Sequence, residues 1–249
     1  FKSSCRFSRR SELMLLKKYF ISLITILTIS VSADPLDPIQ LLSDFVGVDT
    51  INPPGNESRA VDFYAKIFEE EGIEYSFGES APGRGNIWAR IKGGDKPALI
   101  LLQHTDVVPA SKDYWETDPM VAQIKDGYLY GRGVIDMKGA GISQLVSFVR
   151  LHRDGKKLNR DLVFLATADE EAGGLYGAGW MIENHPEVFE GAGFAINEGG
   201  SGMIIDNDKV FSIEVTQKVP VWLRLTATDV PGHGSSPRTT SSVSRIVHA

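Results

Sequence analysis

From Pro38 onward the apolar positions switch repeatedly between a helical period and short continuous runs. Pro38 to Val46 carries apolar residues at helical spacing, and Glu57 to Glu71 reads as an amphipathic helix stopped by Gly72. Between them, residues 48–56 form a loop by their Pro, Gly and Asn content. Ile87 to Ile91 and Ala98 to Leu102 read as strands, and the second is the near-continuous apolar run of a strand covered on both faces. Lys138 to His152 is predicted as a helix and Leu162 to Thr167 as another buried strand. A helix over Leu175 to Asn184 stops before Pro186, and Phe194 to Ile196 is a short strand. This alternation predicts an α/β fold, a largely parallel sheet with helices on both faces.

After Asn207 the texture changes. Lys209 to Val215 and Val221 to Thr228 alternate apolar and polar residues as half-solvated antiparallel strands do. Residues 232–237 are a turn, and a helix starts at Ser241. A domain boundary is expected near residues 212–218, with 34–215 forming one domain and 216–249 the start of a second, α+β domain. So short a second domain would leave sheet edges exposed, which suggests a truncated sequence.

The first 33 residues have a separate pattern. Lys17-Lys18 precede an apolar run from Tyr19 that closes on Val31-Ser32-Ala33, the layout of a secretory signal peptide over residues 14–33 cleaved after Ala33. Met14 is its natural start, and residues 1–13 read as upstream, non-native sequence. A membrane anchor or a buried helix is the alternative, but the run is short for a span. The expected location is secreted or periplasmic, with no stable membrane span after cleavage.

Composition is that of a globular protein, with 42% hydrophobic and 23% charged residues among 249. The net charge is −6, and removing residues 1–33 leaves 20 Lys/Arg against 31 Asp/Glu, or −11. Neither a basic stripe nor an aromatic-interleaved basic run occurs, which argues against a nucleic-acid partner. Cys5 is the only cysteine. The mature chain therefore has neither a disulfide framework nor a thiolate for zinc, and a metal site must use His, Asp and Glu.

Such residues recur where apolar runs stop: His104 and Asp106 in LLQHTDVV, Asp136 in GRGVIDMKG, Glu170-Glu171 in LATADEEAGG, and Glu198 in AINEGG. Ligands of parallel sheets bind beyond the carboxyl ends of the strands, so His104, Glu170 and Glu198, which directly follow strand-like runs, should converge on that edge. Singly, each has an ordinary alternative. His104 suits a polar loop, Asp136 an N-cap, Glu170-Glu171 with Asp169 a solvated acidic turn, Glu198 a surface acid, and His233 an exposed turn. Glu170-Glu171 is the most telling, because adjacent carboxylates at the end of a buried strand repel unless a cation or proton intervenes. Taken together, the ordered set points to a dinuclear zinc site and a metal-dependent amide hydrolase.

These stretches resemble a zinc metallopeptidase and amidohydrolase family. Its members include aminoacylase, yeast carboxypeptidase S, glutamate carboxypeptidase, acetylornithine deacetylase and succinyl-diaminopimelate desuccinylase. The resemblance rests on DTINPPGNE (49–57), LLQHTDVVP (101–109), WETDPM (115–120), DGYLYGRGVIDMKGA (126–140), ADEEAGG (168–174), NEGG (197–200) and GHGSSP (232–237). It covers essentially all of residues 38–249 and is nearest the aminoacylase and carboxypeptidase S branch. It implies that His104 and Glu198 bind one zinc, Glu171 the other, and Asp136 both, with Glu170 as general base and Asp106 orienting His104. Cobalt or manganese would suit the same donors. The resemblance also implies an inserted lid domain that mediates homodimerisation, with His233 reaching a neighbouring subunit's site to stabilise an oxyanion. The implied substrate is a small peptide or an N-acyl amino acid. The family's last ligand, a downstream histidine, has no counterpart before Ala249, so the resemblance also implies a truncated member. An inactive fragment or a non-catalytic binding homologue is the alternative.

Overall fold

A computed structural model describes residues 36–249 apart from 219, 220, 222 and 237. The expected signal segment and the residues before it lie outside the described residues. Among the described residues no helix is long and apolar enough to cross a membrane. The chain divides into two compact units, one ending at Glu198 and the other beginning at Gly199.

In the first unit, α1 (Pro38–Val46) starts where the Asp37 carboxylate accepts the Ile39 amide at 2.9 Å, with Pro38 in the first turn. Helix α2 (Ser58–Glu71) stops at Gly72, whose left-handed backbone turns the chain out of the helix. Strands β1 (Tyr75–Glu79), β2 (Gly85–Ile91) and β3 (Lys96–His104) follow. Next come a short hairpin, β4 (Gln123–Lys125) and β5 (Tyr128–Tyr130), and then α3 (Gly139–Asp154). Strand β6 (Arg160–Thr167), helix α4 (Ala178–Asn184) and strand β7 (Ala192–Ile196) complete the unit.

The sheet order is β1-β2-β6-β3-β7. Strands β6, β3 and β7 are parallel, whereas β2 runs antiparallel to β6 and β1 antiparallel to β2. The sheet is thus mixed, with its parallel part where the acidic motifs lie. Strand β1 was not among the predicted elements. Tyr75-Ser-Phe-Gly-Glu79 has only two large apolar residues, and Phe77 is exposed, as befits an edge. The β4–β5 hairpin was also missed, although Asp126-Gly127, both at positive φ, is its type I′ turn signal.

Residues along β3 and β6 alternate between two apolar layers. Leu101, Leu162, Phe164 and Ala166 face α1, α2 and α3, where they meet Phe45, Tyr64, Phe68, Leu145 and Phe148. Ile100, Val163 and Leu165 face the other way, onto Met181 of α4 and Val188. Burial on both faces explains why these strands read as unbroken hydrophobic runs. The Tyr64 and Phe68 rings meet the Phe164 ring edge to face, with centroids 5.3 and 5.4 Å away.

The second unit holds a hairpin, β8 (Ser201–Ile205) and β9 (Asp208–Ser212), joined at Asp206-Asn207 in left-handed conformation. Helix α5 (Ser242–Val247) starts with a capping box between Ser241 and Ser244. The expected strand over Val221 to Thr228 does not form among the described residues. An alternating pattern supplies one face but no hydrogen-bond partner, and no strand pairs with that segment.

Phe164→Ala should cost about 3–5 kcal/mol, the usual range for emptying a buried aromatic site. Phe77→Ala in the exposed edge should fall within about 0.5 kcal/mol of wild type. Urea unfolding of both variants checks the assignment of the core, and equal losses would contradict it.

Candidate metal centre

The parallel strands deliver the chemistry to one edge of the sheet. In the β3–β6 register His104 pairs with Thr167, and in the β3–β7 register Leu101 pairs with Ile196. His104 is the last residue of β3, and the Glu170-Glu171 and Glu198 motifs follow β6 and β7 by two or three residues. Beyond His104 the chain pairs with residues 50–52. The Val107 amide donates to the Thr50 carbonyl (3.1 Å), and the Asn52 amide donates to the Val107 carbonyl (2.9 Å).

His104 is buried and its Nε2 looks into a ring of carboxylates. It lies 2.9 Å from Asp136 Oδ1, 3.4 Å from Glu198 Oε2 and 4.0 Å from Glu170 Oε2. On the other side of the ring, Nδ1 lies 3.0 Å from the Asp106 carbonyl oxygen and 3.5 Å from its carboxylate. The nearer acceptor for orienting His104 is therefore the backbone of Asp106. Potential ligand atoms of His104, Asp136 and Glu171 lie within 4.8 Å of one another, and so do those of His104, Glu170 and Glu198.

Asp136 arrives from an irregular turn, Val134–Lys138, opened by Gly133 at φ 77. A side chain at Gly133 would collide with Val107 and strain a left-handed backbone, so glycine suits this position. Asp136 does not cap α3, whose cap residue is Lys138. Lys138 is itself fully buried, and its Nζ donates to the carbonyls of Phe45 and Val48 at 2.8 Å each. Burial pushes its ammonium down to about 7. The turn carrying Asp136 is thereby tied to the carboxyl end of α1.

Glu170 and Glu171 sit in a single turn, Glu170–Ala172, whose amides point back at Asp106. The Glu170 amide donates to Asp106 Oδ1 (3.0 Å) and the Glu171 amide to Oδ2 (3.1 Å), while the Asn52 side chain donates to Oδ2 (2.8 Å). Asp169, which could have belonged to a solvated turn, is instead buried and paired with Arg84 at 2.7 Å. Asn52 and Arg84 were not among the sequence candidates. Asn52 stands in a Pro-rich loop 54 residues before Asp106, and Arg84 in a Gly-flanked turn 85 before Asp169. No local pattern links such pairs.

Electrostatics fits a cation at the centre. Burial alone would lower the His104 pKa, but the hydrogen bond and charge of Asp106, then Glu198 and Glu170, raise it to about 10. Glu171 is pushed up by burial and by Asp136. Glu198 is raised by burial, assisted by Asp136 and Glu170 against the pull of His104. Asp106 is held below its usual range, because the adjacent His104 ring and the bond from Asn52 outweigh its burial. A set of four carboxylates facing one imidazole is short of positive charge, and its nitrogen and oxygen donors suit zinc. The site is buried at the back and open in front, with His104 at 2% side-chain exposure, Asp136 at 62% and Glu170 at 52%. His233 belongs to the second unit, where its exposed ring lies 2.8 Å from the Ser235 hydroxyl.

The model of peptidase family M20/M25/M40 matches residues 100–229. Aminoacylase-1B from Rattus norvegicus is 31% identical over 201 residues, covering 79% of this chain and 48% of that protein. Succinyl-diaminopimelate desuccinylase from Parvibaculum lavamentivorans is 34% identical over 157 residues, 61% of this chain and 38% of that protein. Among solved structures, human carnosine dipeptidase 1 aligns with a TM-score of 0.54 at 25% identity, covering 64% of this chain and 38% of that one. The metallo-carboxypeptidase Sso-CP2 from Sulfolobus solfataricus aligns with a TM-score of 0.57 at 23% identity, over 66% of this chain and 37% of that one, a likeness of fold. The chain spans about half the length of the curated relatives it matches.

The His104 shift predicts how the metal-free protein responds to pH. Its folded pKa of about 10 exceeds the unfolded value near 6.5. Its contribution to stability is therefore complete below about pH 6.5 and is lost as the pH rises through about 10. Buried Lys138, lowered to about 7, acts in the opposite sense over the same window. The His104 part is therefore read as the difference between the urea midpoints of metal-free wild type and His104→Gln, which should shrink as the pH rises from about 6.5 to about 10. Parallel pH profiles for the two proteins would remove His104 from this role.

Proposed function

The chain belongs to peptidase family M20/M25/M40, and from that premise we propose that the protein is a zinc-dependent hydrolase of peptide or N-acyl amide bonds. The observation that carries this reading is the cluster at the parallel strand ends, where His104 Nε2 faces Asp136, Glu198 and Glu170. In this reading His104, Asp136, Glu171 and Glu198 would hold the zinc; cobalt or manganese would suit the same donors. When bound, the metal supplies Lewis acidity, which makes water nucleophilic near neutral pH and polarises an amide carbonyl.

The residues of the chain do the rest. The Asp106 carbonyl accepts from His104 Nδ1–H and so commits Nε2 to the open side of the site. Glu170, half exposed beside this cluster, takes the proton of the attacking water and passes it to the departing amine. His233, supplied by a second copy of the chain, donates a hydrogen bond to the oxyanion as it forms. The relatives' names, an aminoacylase, a desuccinylase and a dipeptidase, have an amide linkage in common. This supports a small peptide or an N-acyl amino acid as substrate. Residues 14–33 act as a secretory signal, which the N-terminal residue of the exported protein checks: Asp34 is expected.

In the intact protein, Glu170→Gln should lower kcat by ~10²–10⁴-fold while metal analysis finds zinc still bound. Near-normal turnover would take the base role from Glu170. His233→Ala should lower kcat by ~10²–10³-fold, the usual cost of one oxyanion donor. Chelation should abolish activity and added zinc restore it; activity that survives metal removal would overturn the reading.

A further inference from the structure

Behind the carboxylate cluster lies a second polar layer that the hydrolytic reading leaves unused. Glu57, Arg84, Asp169 and Asn52 are all buried, yet they come from the start of α2, the turn before β2, the turn after β6 and the loop after α1. Arg84 joins two of the carboxylates. Its Nε lies 2.8 Å from Glu57 Oε2, and its outer nitrogen lies 2.8 Å from Glu57 Oε1 and 2.7 Å from Asp169 Oδ1. A further nitrogen donates to the Pro54 carbonyl at 3.2 Å, and the guanidinium lies 5.1 Å from the centre of the Tyr176 ring. Gly55, at φ 80, passes directly beneath, where any Cβ would collide with the guanidinium and with Glu57.

Asp169 is the member that touches the catalytic turn. It is a non-glycine residue at φ 69, in the left-handed region that side chains adopt only where surrounding contacts hold them. Those contacts are present. Oδ1 accepts from Arg84 and from Asn52 (3.2 Å), Oδ2 accepts from the Tyr176 amide (3.1 Å), and the Asp169 amide donates to Glu57 (3.2 Å). The next two amides are those of Glu170 and Glu171, both bonded to Asp106. Asn52 closes the ring, because its amide group donates to Asp169 and to Asp106.

We propose that the Glu57–Arg84–Asp169 triad is a positioning unit for the site: by holding Asp169 left-handed, it delivers the Glu170 and Glu171 amides to Asp106 and sets both side chains opposite His104. The proposal rests on the reading of Glu170 and Glu171 as working residues. Planar, forked Arg84 can grip both carboxylates at once, whereas a lysine keeps the charge but loses the fork. Asp169→Asn is the cleaner perturbation, because it leaves Arg84 and Glu57 as a neutral pair rather than stranding a buried charge.

The test uses the intact protein carrying Asp169→Asn, with Arg84→Lys as a second variant should the first fail to fold. Amide hydrogen exchange is followed in the metal-free form, and kcat, KM and Co²⁺ binding in the loaded form. The expected result is selective loss of protection over residues 169–176, with β3 and β6 keeping theirs. Either kcat or Co²⁺ affinity should also fall 10–100-fold, the usual effect of removing an outer partner, with KM little changed. Three results would overturn the proposal: unchanged exchange in the turn, loss of protection spread equally over the sheet, or a freed turn with kcat and Co²⁺ binding intact. If wild-type protein binds no Co²⁺ and cleaves no N-acyl amino acid or dipeptide, the hydrolase reading fails instead. The exchange pattern then decides the positioning role by itself.

Discussion

A single buried carboxylate, that of Asp106, organises the site. It accepts hydrogen bonds from the Asn52 side chain and from the amides of Glu170 and Glu171, while its own carbonyl receives the His104 ring. Without such donors a buried carboxylate is strongly disfavoured; with three of them it stays ionised. The same bonds decide where the donors sit. The turn after β6 closes onto the end of β3, and the loop after α1 is drawn in beside both. Geometry and charge are thus determined by one set of contacts.

This arrangement depends on the sheet beneath it. Strands β3 and β6 lie parallel in the middle, each sandwiched between apolar layers, so their relative register cannot slip without moving buried residues to the wrong face. His104 and Thr167 consequently end level with each other, and the segments that follow them are bound to meet. The hydrophobic layers contribute nothing to the chemistry, yet they set the spacing of the groups that do. Asp136 enters from a different direction, on a turn anchored to α1 through Lys138.

Charge is distributed in depth. At the back, Arg84 pairs with both Glu57 and Asp169, and Asp106 is satisfied by hydrogen bonds. At the front, Asp136, Glu170, Glu171 and Glu198 crowd around one imidazole without comparable compensation. The raised pKa values of Glu171 and Glu198, and that of His104, express this shortage of positive charge. A cation would relieve it on the side that is open to solvent. The division is between a back layer that holds position and a front layer left under electrostatic tension.

The α/β class, the two-sided burial of β3 and β6 and the strand-end positions of His104, Glu170, Glu171 and Glu198 could be read from the linear chain. Each depends on local periodicity or on where a hydrophobic run stops. The antiparallel strand β1 was not legible, because an exposed edge strand carries little apolar signal. Nor, among the described residues, did the alternation over Val221 to Thr228 suffice to make a strand, since pairing needs a partner the pattern cannot name. Asn52, Glu57 and Arg84 escaped for a related reason. Each matters through a hydrogen bond or ion pair to a residue far along the chain, and a polar residue in a loop looks the same whether solvent or a buried carboxylate awaits it. The sequence by itself determined which residues could carry the chemistry, because residue type and hydrophobic period are local properties. Only the tertiary structure decided which polar groups are buried together, because that depends on how strands and turns distant in sequence are brought into register.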